Sequence, residues 1–160
     1  MPVTGHEFDP HWPDDVRTET KSDADTRLRA ALEANGQRFT EQRAAVYRFL
    51  RDTDRHPSAD DVFTAVRGVI PDISLATVYK SLETLVSCGL ASKLTYGDGS
   101  ARYDGRTDPH PHARCRECGT VLDLPGHVDA RTLTGVGQLP GFAVEGYRLE
   151  LVGLCGPCQS

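Results

Sequence analysis

The chain has 160 residues, 38% of them hydrophobic and 26% charged, with a formal net charge of −5. That is enough apolar material for one domain or two small ones, and it excludes a disordered chain. No stretch approaches the roughly 18 apolar residues of a membrane helix, and the polar N-terminus lacks the apolar run of a secretory signal, so a cytoplasmic protein with no membrane partner is expected. The acidic balance does not exclude nucleic acid, because residues 27–55 hold seven arginines against four acids.

Residues 1–21 are polar, contain three prolines and show no periodicity, which predicts a flexible arm. A first domain is expected over 22–96 and a second over 97–160. From Asp23 a helical period places Ala24, Leu28, Ala31 and Leu32 on one face, with Gly36 as a C-terminal cap. Thr40 can cap a second helix bearing Ala45, Val46, Phe49 and Leu50. Ser58 with Asp61 resembles a capping box that opens a third helix, with Val62, Phe63 and Val66 inward and Pro71 at its end. Ser74 can cap a fourth helix with Val78, Leu82, Leu85 and Val86 on one face, closed by Gly89. ASKLTY and SARYD then flank a Gly97-Asp98-Gly99 turn, the pattern of a β-hairpin. Helix, short turn, helix and hairpin make a winged helix-turn-helix, although a small helical bundle with a hairpin fits the same pattern.

Beyond Tyr103 the texture changes. GTVLDL, GFAVEG and YRLELVGL read as short strands, and a weak helix over residues 127–138 is expected despite Gly135 and Gly137. The fold class is therefore α+β, with a small α/β second half. Four of the five cysteines form two Cys-x2-Cys pairs, Cys115/Cys118 and Cys155/Cys158, separated by 36 residues. In a chain without a secretory signal this spacing favours one tetrahedral zinc site with four thiolate ligands. Redox pairs and a disulfide framework are the competing readings. CGPC is also the thioredoxin-type motif, but that motif needs its first cysteine at a helix N-terminus, and only two residues follow Cys158. Zinc matters for this half, because about 60 residues bury too little apolar surface to be secure alone. Cys88, at the end of an apolar stripe, reads as a small buried hydrophobe.

A second constellation lies in YDGRTDPHPHARCRECG. His110 and His112 are two apart, and if the chain is extended there they point the same way and can share one ion. Asp104 and Asp123 offer hard oxygen ligands nearby, and a sulfur-free nitrogen and oxygen set suits Fe2+ or Mn2+ better than a structural zinc. Spacing alone joins neither His56 nor Asp123 to that pair, and surface histidines with capping aspartates are the plainer reading.

The order of these features resembles the ferric uptake regulator family of metal-dependent bacterial repressors. The matching stretches are RFTEQR (38–43), HPSADDVF (56–63), ISLATVYKSLETL (73–85), LTYGDGSARYD (94–104), HPHARCRECG (110–119) and LVGLCGPC (151–158). The resemblance implies a homodimeric, metal-gated repressor whose winged helix reads double-stranded operator DNA and whose second half dimerises. It makes Cys115, Cys118, Cys155 and Cys158 the structural zinc ligands. It makes His56, Asp104, His110, His112 and Asp123 a regulatory Fe2+ or Mn2+ site that bridges the two domains. It also implies a base-contacting role for Tyr79 in the fourth helix, a less constrained contact at Lys80, and a minor-groove contact for Arg38. Ser74 and Thr77, at the helix start, can bind phosphates. Val78 and Leu82 already define the buried stripe, so Tyr79, about 100° round from Val78, is expected to be exposed.

Within the family, aspartate at position 123 is typical of the peroxide-sensing branch, where many iron-uptake regulators carry glutamate. Asp104 stands where zinc-uptake regulators often have cysteine. Pro109, Pro111 and Tyr147 replace ligands of a third metal site, which is expected to be missing. In peroxide-sensing members bound Fe2+ reacts with hydrogen peroxide and a ligand histidine is oxidised; the matching positions are His56 and His110. A manganese- or iron-homeostasis repressor using nearly the same ligands is the alternative. A zinc hydrolase or deaminase would need an open zinc position and a neighbouring acid or base, and HPH supplies histidine where the deaminase pattern has glutamate, so no enzyme is expected. A metal-storage protein would leave the TVYK helix and the hairpin unexplained.

Overall fold

The computed structural model describes residues 20–96, 99–108, 110–125, 140–143 and 149–159. Helix α1 spans Lys21–Ala34. It opens on a reciprocal capping box in which Asp23 N–H donates to Thr20 Oγ1 (3.3 Å) and Thr20 N–H donates to Asp23 Oδ2 (3.2 Å). This box extends the helix two residues ahead of Asp23, so Thr20 and Lys21 belong to the helix and its cap, not to the arm. The rest of the expected arm lies outside the described residues. Helix α2 (Glu41–Asp52) is capped by Thr40, α3 (Ala59–Val66) by the Ser58/Asp61 capping box, and α4 (Leu75–Ser87) by Ser74. Helix α3 ends at Val66, five residues before Pro71: Val69 N–H and Ile70 N–H both return to the Val66 carbonyl (2.9 Å each), a turn at Gly68 that carries Ile73 into the core.

Apolar faces of the four helices meet in one core that contains Leu28, Leu32, Val46, Leu50, Val62, Val78, Leu82 and Leu85, all at most 1% exposed. Ala31, Phe63 and Val86, expected inward, are half-buried at its margin. Strands β1 (Ser92–Thr95) and β2 (Ala101–Asp104) pair antiparallel from Ser92↔Asp104 to Thr95↔Ala101. Gly99 supplies the positive φ of +80° that their turn requires; Gly97 and Asp98 lie outside the described residues. Tyr103 of β2 is buried in the helical core, and its N–H donates to Pro57 O (2.9 Å), tying the wing to the α2–α3 junction.

Among the described residues the second half forms a three-stranded sheet of order β4-β3-β5, with β3 at His112–Cys115, β4 at Val121–Asp123 and β5 at Glu150–Gly153. β3 pairs antiparallel with β4 and parallel with β5. GTVLDL and YRLELVGL thus each hold a strand. The helix expected over 127–138 and most of GFAVEG lie outside the described residues. Among the described residues the sheet buries little apolar surface, chiefly Cys115 and Val121, and leaves Leu122, Leu151 and Val152 exposed. No described helix is long and apolar enough to cross a membrane.

Candidate metal centres

The sheet register gathers the cysteines. Cys115 ends β3 opposite Gly153 of the parallel strand β5, so the turn after β3 and the chain after β5 leave the same end of the sheet. Cys118 sits in the first of these segments, and Cys155 and Cys158 flank a 3-10 turn at Gly156–Cys158 in the second. The four sulfurs lie within 4.8 Å of one another, with Cys118 and Cys155 3.6 Å apart. Thiolates about 2.3 Å from a tetrahedral zinc stand roughly 3.8 Å apart, which fits. The backbone N–H groups of Cys118 and Cys155 draw the Cys115 thiol down to about 6, while the neighbouring Cys155 and Cys118 thiols push Cys158 up to about 12. Four crowded thiols ionise together only around a cation. A three-residue 3-10 turn is no helix N-terminus for a redox thiolate at Cys155.

The second cluster lies where the winged helix meets the sheet. His56 comes from the α2–α3 junction, Asp104 from the end of β2, His110 from the connection, His112 from the start of β3 and Asp123 from the end of β4. His112 and Asp123 are direct partners across the β3–β4 ladder. His56 Nε2 stands 2.8 Å from Asp123 Oδ1 and 3.5 Å from Asp104 Oδ2. His110 Nε2 lies 3.0 Å from each of the same two oxygens, and His112 Nε2 lies 3.2 and 3.3 Å from them. Three imidazole nitrogens and two carboxylate oxygens therefore converge on one point.

The surroundings fix which atoms converge. His56 Nδ1 donates to Val121 O (3.2 Å) and His110 Nδ1 to Asp108 O (2.7 Å), which leaves each Nε2 as the lone-pair nitrogen facing the centre. His56 Nε2 is buried, and although 2.8 Å from a carboxylate it makes no aligned hydrogen bond. Donors about 2.1 Å from one ion would stand roughly 3.0 Å apart at right angles, and the observed separations bracket that value. Burial opposes charge on His56, but the Asp104 and Asp123 carboxylates beside its ring outweigh it and raise the imidazole to about 9. Burial likewise opposes charge on Asp104, yet His112, His56 and the Arg106 N–H hold it well below the usual carboxylate range. Without an ion, a proton on His56 joins the acids; a divalent cation does so with better geometry.

Of the five residues expected to meet nucleic acid, three lie together at a groove between the start of α2 and the first half of α4. Arg38, Thr77 and Lys80 line this shallow groove with Gln37 and Arg43, and among the described residues no acidic one lines it. Tyr79 is 45% exposed, beside the buried Val78. Ser74 is exposed, but its hydroxyl is engaged in the cap, where Thr77 N–H donates to Ser74 Oγ (3.1 Å). Sequence reasoning missed Arg43, whose guanidinium donates to Arg38 O and to Gln37 Oε1 (3.2 Å) and so shapes the groove floor. It also missed β3, which is short and polar, and Arg106 and Asp108, which buttress the His/Asp centre. The only signal for these two was a charge pair, Arg-Thr-Asp, inside the linker.

Residues 34–152 match the sequence model described as the Ferric uptake regulator family. The chain is 40% identical over 137 residues to a Peroxide operon regulator of Bacillus subtilis (strain 168), covering 82% of this chain and 93% of that one. It is 36% identical over 131 residues to the Peroxide-responsive repressor PerR of Staphylococcus aureus (strain USA300), covering 81% and 88%. Its fold is similar to that of the Helicobacter pylori ferric uptake regulator, with a TM-score of 0.72 at 23% identity over 89% of this chain and 95% of that one.

Proposed function

The chain belongs to the ferric uptake regulator family, and on that premise we propose that it is a metal-gated, DNA-binding transcriptional repressor that senses peroxide by oxidation of a ligand histidine. The observation that carries the reading is the origin of the five donors. His56 belongs to the winged-helix side, and Asp104, His110, His112 and Asp123 belong to the wing's exit and the sheet. An ion held by both sides binds one relative orientation of the halves more tightly than others, and only such a difference shifts a conformational equilibrium. In a homodimer, that orientation sets the spacing of two α4 helices against the half-sites of operator DNA. The exposed Leu151 and Val152 on β5 offer an apolar surface for such pairing.

The two carboxylates supply hard anionic donors and the three histidines neutral nitrogens, a set suited to Fe2+ or Mn2+, while the cysteine cluster suits Zn2+. Bound Fe2+ supplies the redox chemistry, in which peroxide is reduced to water and one oxygen atom is added to an imidazole carbon. The protein holds His56 and His110 by their Nδ1–H groups so that each ring keeps its Nε2 at the centre. Oxidation of either ring removes a donor and so releases the grip on domain orientation. Tyr79 and Lys80 of α4 contact bases in this reading, Arg38 enters the neighbouring groove, and Ser74 and Thr77 approach phosphates. The test is to load zinc-containing protein with Fe2+ without oxygen, add stoichiometric hydrogen peroxide and map peptides by mass spectrometry. One added oxygen on His56 or His110, absent with Mn2+, is the expected result. Unmodified histidines in iron-loaded protein would refute peroxide sensing and favour a manganese- or iron-homeostasis repressor.

A further inference from the structure

Both aspartates of the His/Asp centre turn one oxygen toward the histidines and the other toward a single residue, Arg106. Asp104 presents Oδ2 to His56, His110 and His112, and its Oδ1 accepts the Arg106 N–H (2.8 Å). Asp123 presents Oδ1 to the same histidines, and its Oδ2 lies 3.9 Å from Arg106 Nη1. The guanidinium is held there by Asp108, which accepts from Nε (2.6 Å) and from Nη2, a two-pronged grip that fixes its plane. The Asp108 carbonyl in turn accepts His110 Nδ1–H (2.7 Å). The backbone that begins this loop is seated against α2: a Cβ on Gly105 would stand 2.4 Å from Leu50 O, so only glycine lets the segment lie this close.

We propose that Arg106 is a positioning residue that restricts the carboxylates of the centre to one donor oxygen each. The inference rests on the metal reading of that centre. Its backbone N–H occupies the second oxygen of Asp104, and its guanidinium occupies the surroundings of the second oxygen of Asp123. The centre then offers five donor atoms, with the hinge side left to the cleft lined by Thr95, Tyr96, Thr107 and Leu149. Two effects of the guanidinium act in one direction. It opposes rotation of Asp123 into two-oxygen ligation, and its positive charge opposes a cation at the neighbouring oxygen. Losing it costs little orientation, because the β3–β4 register already holds Asp123 opposite His112.

The test uses zinc-loaded full-length protein and Mn2+ as the probe. Arg106→Met leaves the backbone N–H on Asp104 and removes only the guanidinium. Calorimetric titration is expected to show Mn2+ binding about tenfold tighter than in the parent protein. The Mn2+ electron paramagnetic resonance spectrum is expected to lose the large zero-field splitting of five-coordination for the narrow six-line pattern of six-coordination. Arg106→Lys, which keeps the charge, should return both readouts toward those of the parent protein. Arg106→Gln provides the same comparison if the methionine variant melts early. An unchanged spectrum with affinity within twofold, or weaker binding in both uncharged variants, would overturn the role of Arg106. Failure of the parent protein to take up any Mn2+ beside its zinc would instead bring down the metal reading beneath it.

Discussion

Replacing His56 with alanine separates what this residue does for affinity from what it does for coupling. A four-ligand structural zinc site is worth about 10–16 kcal/mol at neutral pH, so one ligand contributes roughly 2.5–4 kcal/mol, or about 10²–10³ in affinity. Mn2+ stands lowest in the divalent affinity order, which places the loss near the lower end, about 10². Asp104 and Asp123 hold the metal-free imidazole protonated up to about 9, and at pH 7 an incoming cation must first displace that proton, at a cost of about 10². The two factors nearly cancel. His56→Ala is therefore expected to change Mn2+ affinity less than about tenfold at pH 7 and by about a hundredfold near pH 9. Titrations in buffers of different ionisation enthalpy should count about one proton fewer released by the variant at pH 7.5. With only Asp104, at the end of β2, left as a donor on the winged-helix side, Mn2+ should change affinity for a duplex selected in vitro against the loaded parent protein much less than in the parent, where a gain of roughly 5–150-fold is typical of such coupling. The variant also strips the Val121 carbonyl of its partner, about 1–3 kcal/mol of stability, so melting must be checked first. An affinity loss that is already a hundredfold at pH 7 and flat with pH would refute the protonated imidazole. Undiminished metal-dependent DNA binding would refute the bridging role of His56.

The same proton sets the pH dependence of the protein loaded with zinc alone. His56 is raised from 6.5 to about 9 on folding, so its stabilising contribution is complete below about 6.5 and is lost as pH rises through about 9. Denaturant midpoints should fall over that window by the equivalent of about 3 kcal/mol, and saturating Mn2+ should flatten the fall. Cys118→Ser should lower the zinc content from one per chain to near zero by elemental analysis and lower the melting temperature by more than about 10 °C, because the described residues of the sheet bury little apolar surface. Full zinc retention would break the four-thiolate assignment. Tyr79→Ala should weaken binding to the selected duplex about tenfold at unchanged melting temperature, whereas Arg38→Ala should weaken it across sequences and reduce the salt slope by about one. Gly105→Ala drives a methyl group into the Leu50 carbonyl and should cost about 1–3 kcal/mol of stability together with Mn2+ affinity; an unperturbed variant would show that the hinge backbone is free to shift.

The helical half was legible because its signals are local. Thr40, Ser58 and Ser74 announce helix starts by side-chain chemistry within three residues, and the buried stripes repeat at helical spacing. The third helix was read too long because Pro71 is a conspicuous stop, while the turn that ends it, through Arg67 and Gly68, carries a weaker signal. The Cys-x2-Cys pairs were legible as a unit because thiolate pairs have few other uses in such a chain. From spacing alone the His/Asp centre was legible only as a His-x-His pair with two aspartates nearby; the full set of five came from the family resemblance. His56 reaches it through the packing of the α2–α3 junction on β4, and Asp123 through the β3–β4 register, neither of which spacing expresses. Strand β3 escaped because its four residues, His-Ala-Arg-Cys, carry ligands and charge where a strand signal would carry branched apolar residues.

The two clusters differ in the one property that separates a fastener from a switch. All four cysteines leave the same end of one small sheet, and β3 and β5 are already fixed against each other by parallel pairing. A cation among them sees the same donors however the winged helix is oriented, so it stabilises the sheet and carries no information about domain angle. The His/Asp centre has donors on both sides of the junction, and one hydrogen bond joining those sides at the site, His56 Nδ1–H to Val121 O, comes from a ligand ring through the nitrogen that faces away from the centre. Oxidising that ring would disturb the donor and the domain contact in one event, whereas oxidising His110 would disturb only the donor and the loop at Asp108. If each occurs, the His56 product should lose DNA affinity even under saturating Mn2+, and the His110 product should recover part of it. Separating the two singly oxidised species by chromatography and titrating each with Mn2+ and the selected duplex tests this directly; equal recovery by both would place the coupling outside the His56–Val121 contact.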